Sequence, residues 1–187
     1  MTEFACTPGQ TVGPFFGLAL TYRGDRDLVA DAHPRAVRLH GTVYDGAGDW
    51  VPDALVELWQ PDHAGQIPRV AGSLRRDPMV FTGWGRSATD AAGRYGFTTV
   101  APGSAAAGRP PFFAIAVFAR GLLNRLFTRA YLPYGDLHAD PLLAAVDAGR
   151  RDTMVCVAES GGAAYRFDIH LQGHNETVFL SYRADGR

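Results

Sequence analysis

An all-β fold, a β-sandwich with long loops, an extended N-terminal arm and one short helix, is what this sequence predicts. Three observations carry that prediction: roughly nine short stretches of strand character, Gly- and Asp-containing turn signals between them, and a single segment bounded by helix start and stop signals. The size agrees. With 187 residues, 47% hydrophobic and 11% aromatic, the chain supplies one substantial core and would divide poorly into two. The expected organisation is an arm over residues 1–35 and a sandwich over residues 36–187.

The arm mixes turn residues with aromatics, including Thr7-Pro8-Gly9-Gln10-Thr11-Val12-Gly13-Pro14-Phe15-Phe16, and shows no periodicity. From Val37 the pattern changes to strict alternation, with Val37, Leu39, Gly41 and Val43 apolar against Arg38, His40 and Thr42. Asp45-Gly46 then turns the chain, and residues 54–60 form a second strand, so the two are expected to make a hairpin-like unit. Residues 61–84 lose the pattern in a stretch longer than most connections, the kind of loop that carries function or lies under a partner. Strands follow at 85–90 and 95–100 around a turn at 91–94. After the Gly/Ala/Pro loop 101–111, residues 112–119 are apolar on both faces, as in a central strand, with 125–132 as its expected neighbour.

Asp140-Pro141 opens the one helix, since Asp140 can cap it and Pro141 suits its first turn; Leu142, Leu143 and Val146 give the stripe and Gly149 the stop. Three more strands are expected at 153–158, 164–171 and 177–182, with Gly161-Gly162 turning between the first two.

Composition excludes several functions. Eighteen basic residues against nineteen acidic leave a net charge of -1, too little to draw the chain to nucleic acid or an anionic membrane. All eighteen are Arg, so lysine Schiff-base chemistry is absent. No secretory signal pattern opens the chain, and the longest apolar run, 110–119, is far shorter than a membrane span. A cytoplasmic location is expected. Cys6 and Cys156 form no CxxC and read as free thiols. No His-x-His occurs; His170 and His174 are separated by Gly173, and His33, His40, His63 and His138 suit solvated or hydrogen-bonded roles. There is no GxSxG elbow, and Gly83-Trp84-Gly85 opens no helix that would cradle phosphate. Residue types and spacing alone therefore describe a β-sandwich without assigning it a role.

Several ordered segments go further. The arm motif from Thr7 to Phe15 is followed by Gly41-Thr42-Val43-Tyr44-Asp45-Gly46 and by Val56-Glu57-Leu58-Trp59-Gln60-Pro61-Asp62. Then come Gly85-Arg86-Ser87-Ala88-Thr89-Asp90, Phe118-Ala119-Arg120-Gly121-Leu122 and Tyr165-Arg166-Phe167-Asp168-Ile169. Together, across almost the whole chain, they resemble the intradiol ring-cleaving dioxygenases, and within them the alpha subunit of the two-chain members.

The resemblance implies a ferric ion held by two tyrosines and a His-x-His pair, a donor set suited to hard Fe(III). The tyrosine positions match Ile67 and Ala105, and the histidine positions match Phe112 and Ala114. None of the four can bind iron. Misalignment does not rescue them, because no Tyr lies between Tyr44 and Tyr95 or between Tyr95 and Tyr131, and no His between His63 and His138. The resemblance thus implies that the Fe(III) belongs to a partner beta subunit, with this chain inactive alone and its own ligand positions filled by packing. The implied reaction is O2-dependent intradiol cleavage of 3,4-dihydroxybenzoate to 3-carboxy-cis,cis-muconate.

Thr11, Gly13 and Pro14 match residues that line the partner's pocket in the family: a hydroxyl, a position open to close approach and a stiffener. A docking arm held by Phe15 and Phe16 is the alternative. Arg120 matches an arginine near the same pocket, and a strand-end ion pair is the alternative for it. Two other readings of the whole chain stay open: a non-catalytic β-sandwich binding module, and an alpha-like subunit serving another catechol.

Overall fold

The computed structural model describes residues 10–13, 15–70, 77, 79–159 and 161–181. In chain order these hold α1 (Phe16–Leu20), β1 (Ala36–Tyr44), β2 (Leu55–Trp59), β3 (Trp84–Ala88), β4 (Arg94–Val100), β5 (Phe112–Phe118) and β6 (Leu126–Tyr131). Then follow α2 (Pro141–Ala145), β7 (Val157–Ala158), β8 (Ala164–Arg166) and β9 (Ile169–His170), with short 3-10 segments at Leu137–Ala139 and Ala148–Met154.

The alternation read at Val37 becomes β1, where Leu39, Gly41 and Val43 are buried and Arg38 is exposed. One sheet runs β4-β1-β8-β7, with β9 also pairing to β1. The other runs β3-β2-β5-β6 and is antiparallel throughout. Between the sheets Leu39, Val43, Leu58, Phe97, Phe113, Ile115 and Ile169 form the main core. These are the two packed layers of a sandwich. As expected, β5 is interior to its sheet and pairs with β6, Phe113 opposite Ala130 and Ile115 opposite Thr128.

Four expectations need correction. First, β1 and β2 are not hairpin partners. Asp45 does turn the chain, its carboxylate accepting from the Ala47 and Asp49 N–H groups at 2.8 and 2.9 Å. Val51 then returns a single N–H to the Val43 carbonyl, and the chain crosses to the second sheet.

Second, the helix ends at Ala145, short of Gly149. Asp140 caps it, accepting from the Leu142 N–H, but Val146 is already extended and Asp147 caps a new 3-10 segment by accepting from the Gly149 N–H. This segment consumes the start of the strand expected at 153–158, leaving only β7. Third, the strand expected at 164–171 divides into β8 and β9. At the break the Asp168 carboxylate takes the Thr42 N–H at 3.0 Å, replacing a main-chain acceptor. Of the strand expected at 177–182, the described residues show one bridge, Leu180 to Phe127.

Fourth, the N-terminal segment is an extension but is not extended throughout. Residues 16–20 form α1, with Gly17 buried and Phe16 against Phe118 at 5.5 Å between ring centroids. Further along, Leu28 enters the main core and donates its N–H to the Thr98 carbonyl at 2.8 Å.

Candidate functional site

Two places bear on function, and they lie at opposite ends of β5, about 20 Å apart at the usual strand rise.

At the C-terminal end of β5 the chain turns through Arg120 and Gly121. Thr11 meets it there: its hydroxyl accepts the Gly121 N–H at 2.7 Å, joining the arm to a loop far away in sequence. Arg120 forms an ion pair through Nε with Asp53, and over half of its side chain, 57%, remains exposed. The structure thus brings together Thr11 and Arg120. Gly13 follows, exposed, with its carbonyl accepting the Phe16 N–H at 3.1 Å. Among the described residues a Cβ added there would meet nothing within 4 Å, and its φ lies outside the left-handed region, so no described contact requires glycine. Pro14 lies outside the described residues. Phe15, just before α1, and Leu18 within it point outward, 73% and 75% exposed.

At the other end are the positions matched to iron ligands. Phe112 and Ala114 share one face of β5, opposite Tyr131 and Arg129 of β6. Ala105 and Phe112 line a cleft of about 410 Å³ with Pro61, Arg109, Arg129, Asp140 and Leu142; Ala114 is not among its walls, and Ile67 stands 67% exposed outside it. The packing expected there is only partial. Phe112 lies against Tyr131, ring centroids 5.3 Å apart, and the Arg129 guanidinium sits 4.2 Å over its ring.

Beneath that stack is a polar cluster that sequence reasoning missed. Arg129 donates to Asp140 at 3.0 Å and to the Tyr131 hydroxyl at 3.1 Å, and Tyr131 donates to the same Asp140 oxygen at 3.0 Å. Burial pushes the Tyr131 phenol up to about 12, against the opposing pull of Arg129. The Arg-x-Tyr spacing puts both residues on one strand face, a signal visible in the sequence; their shared acceptor from the α2 cap was not.

This donor set does not fit Fe(III). The four matched side chains carry no lone pair, and the Tyr131 phenol, pushed up by burial, is tied into hydrogen bonds with Arg129 and Asp140. Among the described residues no group of three or more His, Cys, Asp or Glu comes together as a metal site.

The comparisons with known proteins agree with the fold. A dioxygenase family model matches residues 13–173. A protocatechuate 3,4-dioxygenase alpha chain from Burkholderia cepacia is 38% identical, covering 96% of this chain and 99% of its own length. The beta chain from the same organism is 33% identical over 81% of this chain and 72% of its own. Among solved structures, the dioxygenase domain of a carbohydrate-binding fusion protein from Streptomyces sp. SirexAA-E superposes with a TM-score of 0.58 at 24% identity, covering 89% of this chain and 98% of that one. The chain belongs to the intradiol ring-cleavage dioxygenase family and is closely related to protocatechuate 3,4-dioxygenase alpha chains.

Proposed function

We propose that this chain is the iron-free alpha subunit of a protocatechuate 3,4-dioxygenase, in which a partner beta subunit holds the Fe(III) and this chain walls part of the pocket. The complex would cleave 3,4-dihydroxybenzoate with O2 to 3-carboxy-cis,cis-muconate in the cytoplasm. Similarity to alpha chains along nearly its whole length, with no donor at the four matched ligand positions, supports the iron-free role.

The observation that carries the pocket-wall role is the junction of Thr11 with the Arg120–Gly121 turn. It sets a hydroxyl, an unobstructed glycine and a guanidinium steered by Asp53 beside one another on the exposed end of the sandwich. Such a wall excludes water and fixes a bound substrate's orientation without performing chemistry itself. The exposed Phe15 and Leu18 supply apolar area for the subunit contact.

The test is co-expression. Purified alone, the chain is expected to lack stoichiometric iron and ring-cleaving activity; with its beta partner, the complex should carry ferric iron and turn over 3,4-dihydroxybenzoate. Deleting residues 1–16 should abolish turnover while the sandwich stays folded by circular dichroism. Full iron and turnover in the isolated chain would overturn the reading, and undiminished activity of the truncated complex would remove the arm from it.

A further inference from the structure

The cleft beside Phe112 carries a positive charge that no group among the described residues answers. One of its two guanidiniums is already neutralised: Arg129 is paired with Asp140, which is 4% exposed. Asp140 is largely committed, since one oxygen accepts from Arg129 and Tyr131 and the other accepts the Leu142 N–H at 2.8 Å, filling three of about four acceptor sites. Arg109 is different. It stands exposed on the rim, its backbone N–H donates to the Ala106 carbonyl at 3.0 Å, and among the described residues its guanidinium makes no hydrogen bond or ion pair.

The other walls are mostly apolar, formed by Pro61, Ala105, Pro110, Pro111 and Leu142, and Phe112 adds an aromatic ring whose upper face Arg129 covers. A volume of about 410 Å³ lies in the range of small-molecule sites. The complementary occupant has one flat apolar body and one negative charge. Its carboxylate would take the Arg109 fork, which suits that group in bidentate geometry. A cation finds no unpaired carboxylate here, because Asp140, the one acidic residue of the lining, is paired with Arg129, and a neutral ring leaves Arg109 unanswered.

From this the geometry points to a binding site for a small aromatic monocarboxylate, oriented by Arg109 and seated against Pro110, Pro111 and Leu142. It is a site for binding and not for reaction, because no free acid, base or nucleophile lines it. The inference does not depend on the alpha-subunit reading, since it concerns groups of this chain alone and its readout is binding.

The experiment is fluorine NMR titration of the full chain, as purified with or without its partner, using 4-fluorobenzoate as the probe and 4-fluorobenzamide as the uncharged control. Saturable binding of the benzoate in the millimolar range is expected, with none for the amide. Arg109→Gln should weaken it at least tenfold, Arg109→Lys should restore part of the loss, and Ala105→Phe should block the cleft. Both positions are exposed, so unchanged melting temperatures are expected to show that the variants fold. Absence of saturable binding, equal binding of the amide, or binding that survives both Arg109→Gln and Ala105→Phe would overturn the proposal. So would a partner segment filling the cleft, which would appear as loss of the probe signal on forming the complex.

Discussion

Thr11, Gly13 and Arg120 show how little a pocket-wall residue needs to do for its own chain. The Thr11 hydroxyl accepts the Gly121 N–H and donates at a long 3.5 Å to the Val12 carbonyl, both exposed, so Thr11→Val should change stability by less than about 1 kcal/mol. If the wall is real, the same variant in the alpha/beta complex should raise KM for 3,4-dihydroxybenzoate severalfold. A steady-state titration checks it, and a change in melting temperature without one in KM would mark Thr11 as a docking residue. Gly13→Ala makes the complementary case: with no atom of the described residues within 4 Å of the added methyl, the isolated chain should be indifferent. Any loss of turnover would then arise across the subunit boundary. The arm motif was legible in the sequence as a motif. Asp53, the partner of Arg120, was not, because a lone acidic residue after a proline carries no local mark of the strand end it will face.

Among the elements, α2 illustrates a cap that serves two structures at once. Asp140 accepts the Leu142 N–H to start the helix and also answers Arg129 and Tyr131 beneath it. Asp140→Ala should therefore cost about 2–3 kcal/mol, a capping loss plus an abandoned charge, moderated because 26% of the Arg129 side chain is exposed. Asp140→Asn should retain the cap and recover part of it, and urea denaturation of the two variants separates the contributions. The sequence showed the cap because Asp-Pro before an apolar stripe is a local signal. It showed strands for the same reason, since alternation marks a face. It could not show partners: β1 was read as pairing with the strand after its turn, yet its edge is taken by β4, and only the three-dimensional crossing decides that. Gly41 makes the same point, for a Cβ there would collide with the Phe167 carbonyl, a contact formed by a segment from near the other end of the chain.

At the level of the whole molecule, the absence of lysine has a thermodynamic consequence. All eighteen side-chain cations are arginines, which stay charged to about pH 12 or above, so few groups titrate in the alkaline range beyond seven tyrosines and two cysteines. Burial raises the Cys156 thiol to about 12, the Tyr131 phenol to about 12, and Tyr95 well above its ordinary value. The unfolded chain releases those protons near 9.0 for the thiol and 10.0 for the phenols, while the folded chain keeps them. Above those values the unfolded state binds fewer protons, so stability is fully present below about pH 9 and declines as pH rises, at up to roughly 1.4 kcal/mol per pH unit for each such group. The decline should begin with Cys156 alone and steepen about one unit higher as the tyrosines join. Urea denaturation across about pH 8 to 11 reads this directly. Cys156→Ala should flatten the first part and leave the second, because no lysine ion pairs are being lost in the same window to blur the two. An equally steep first segment in that variant would mean that the onset of the alkaline sensitivity comes from groups other than Cys156.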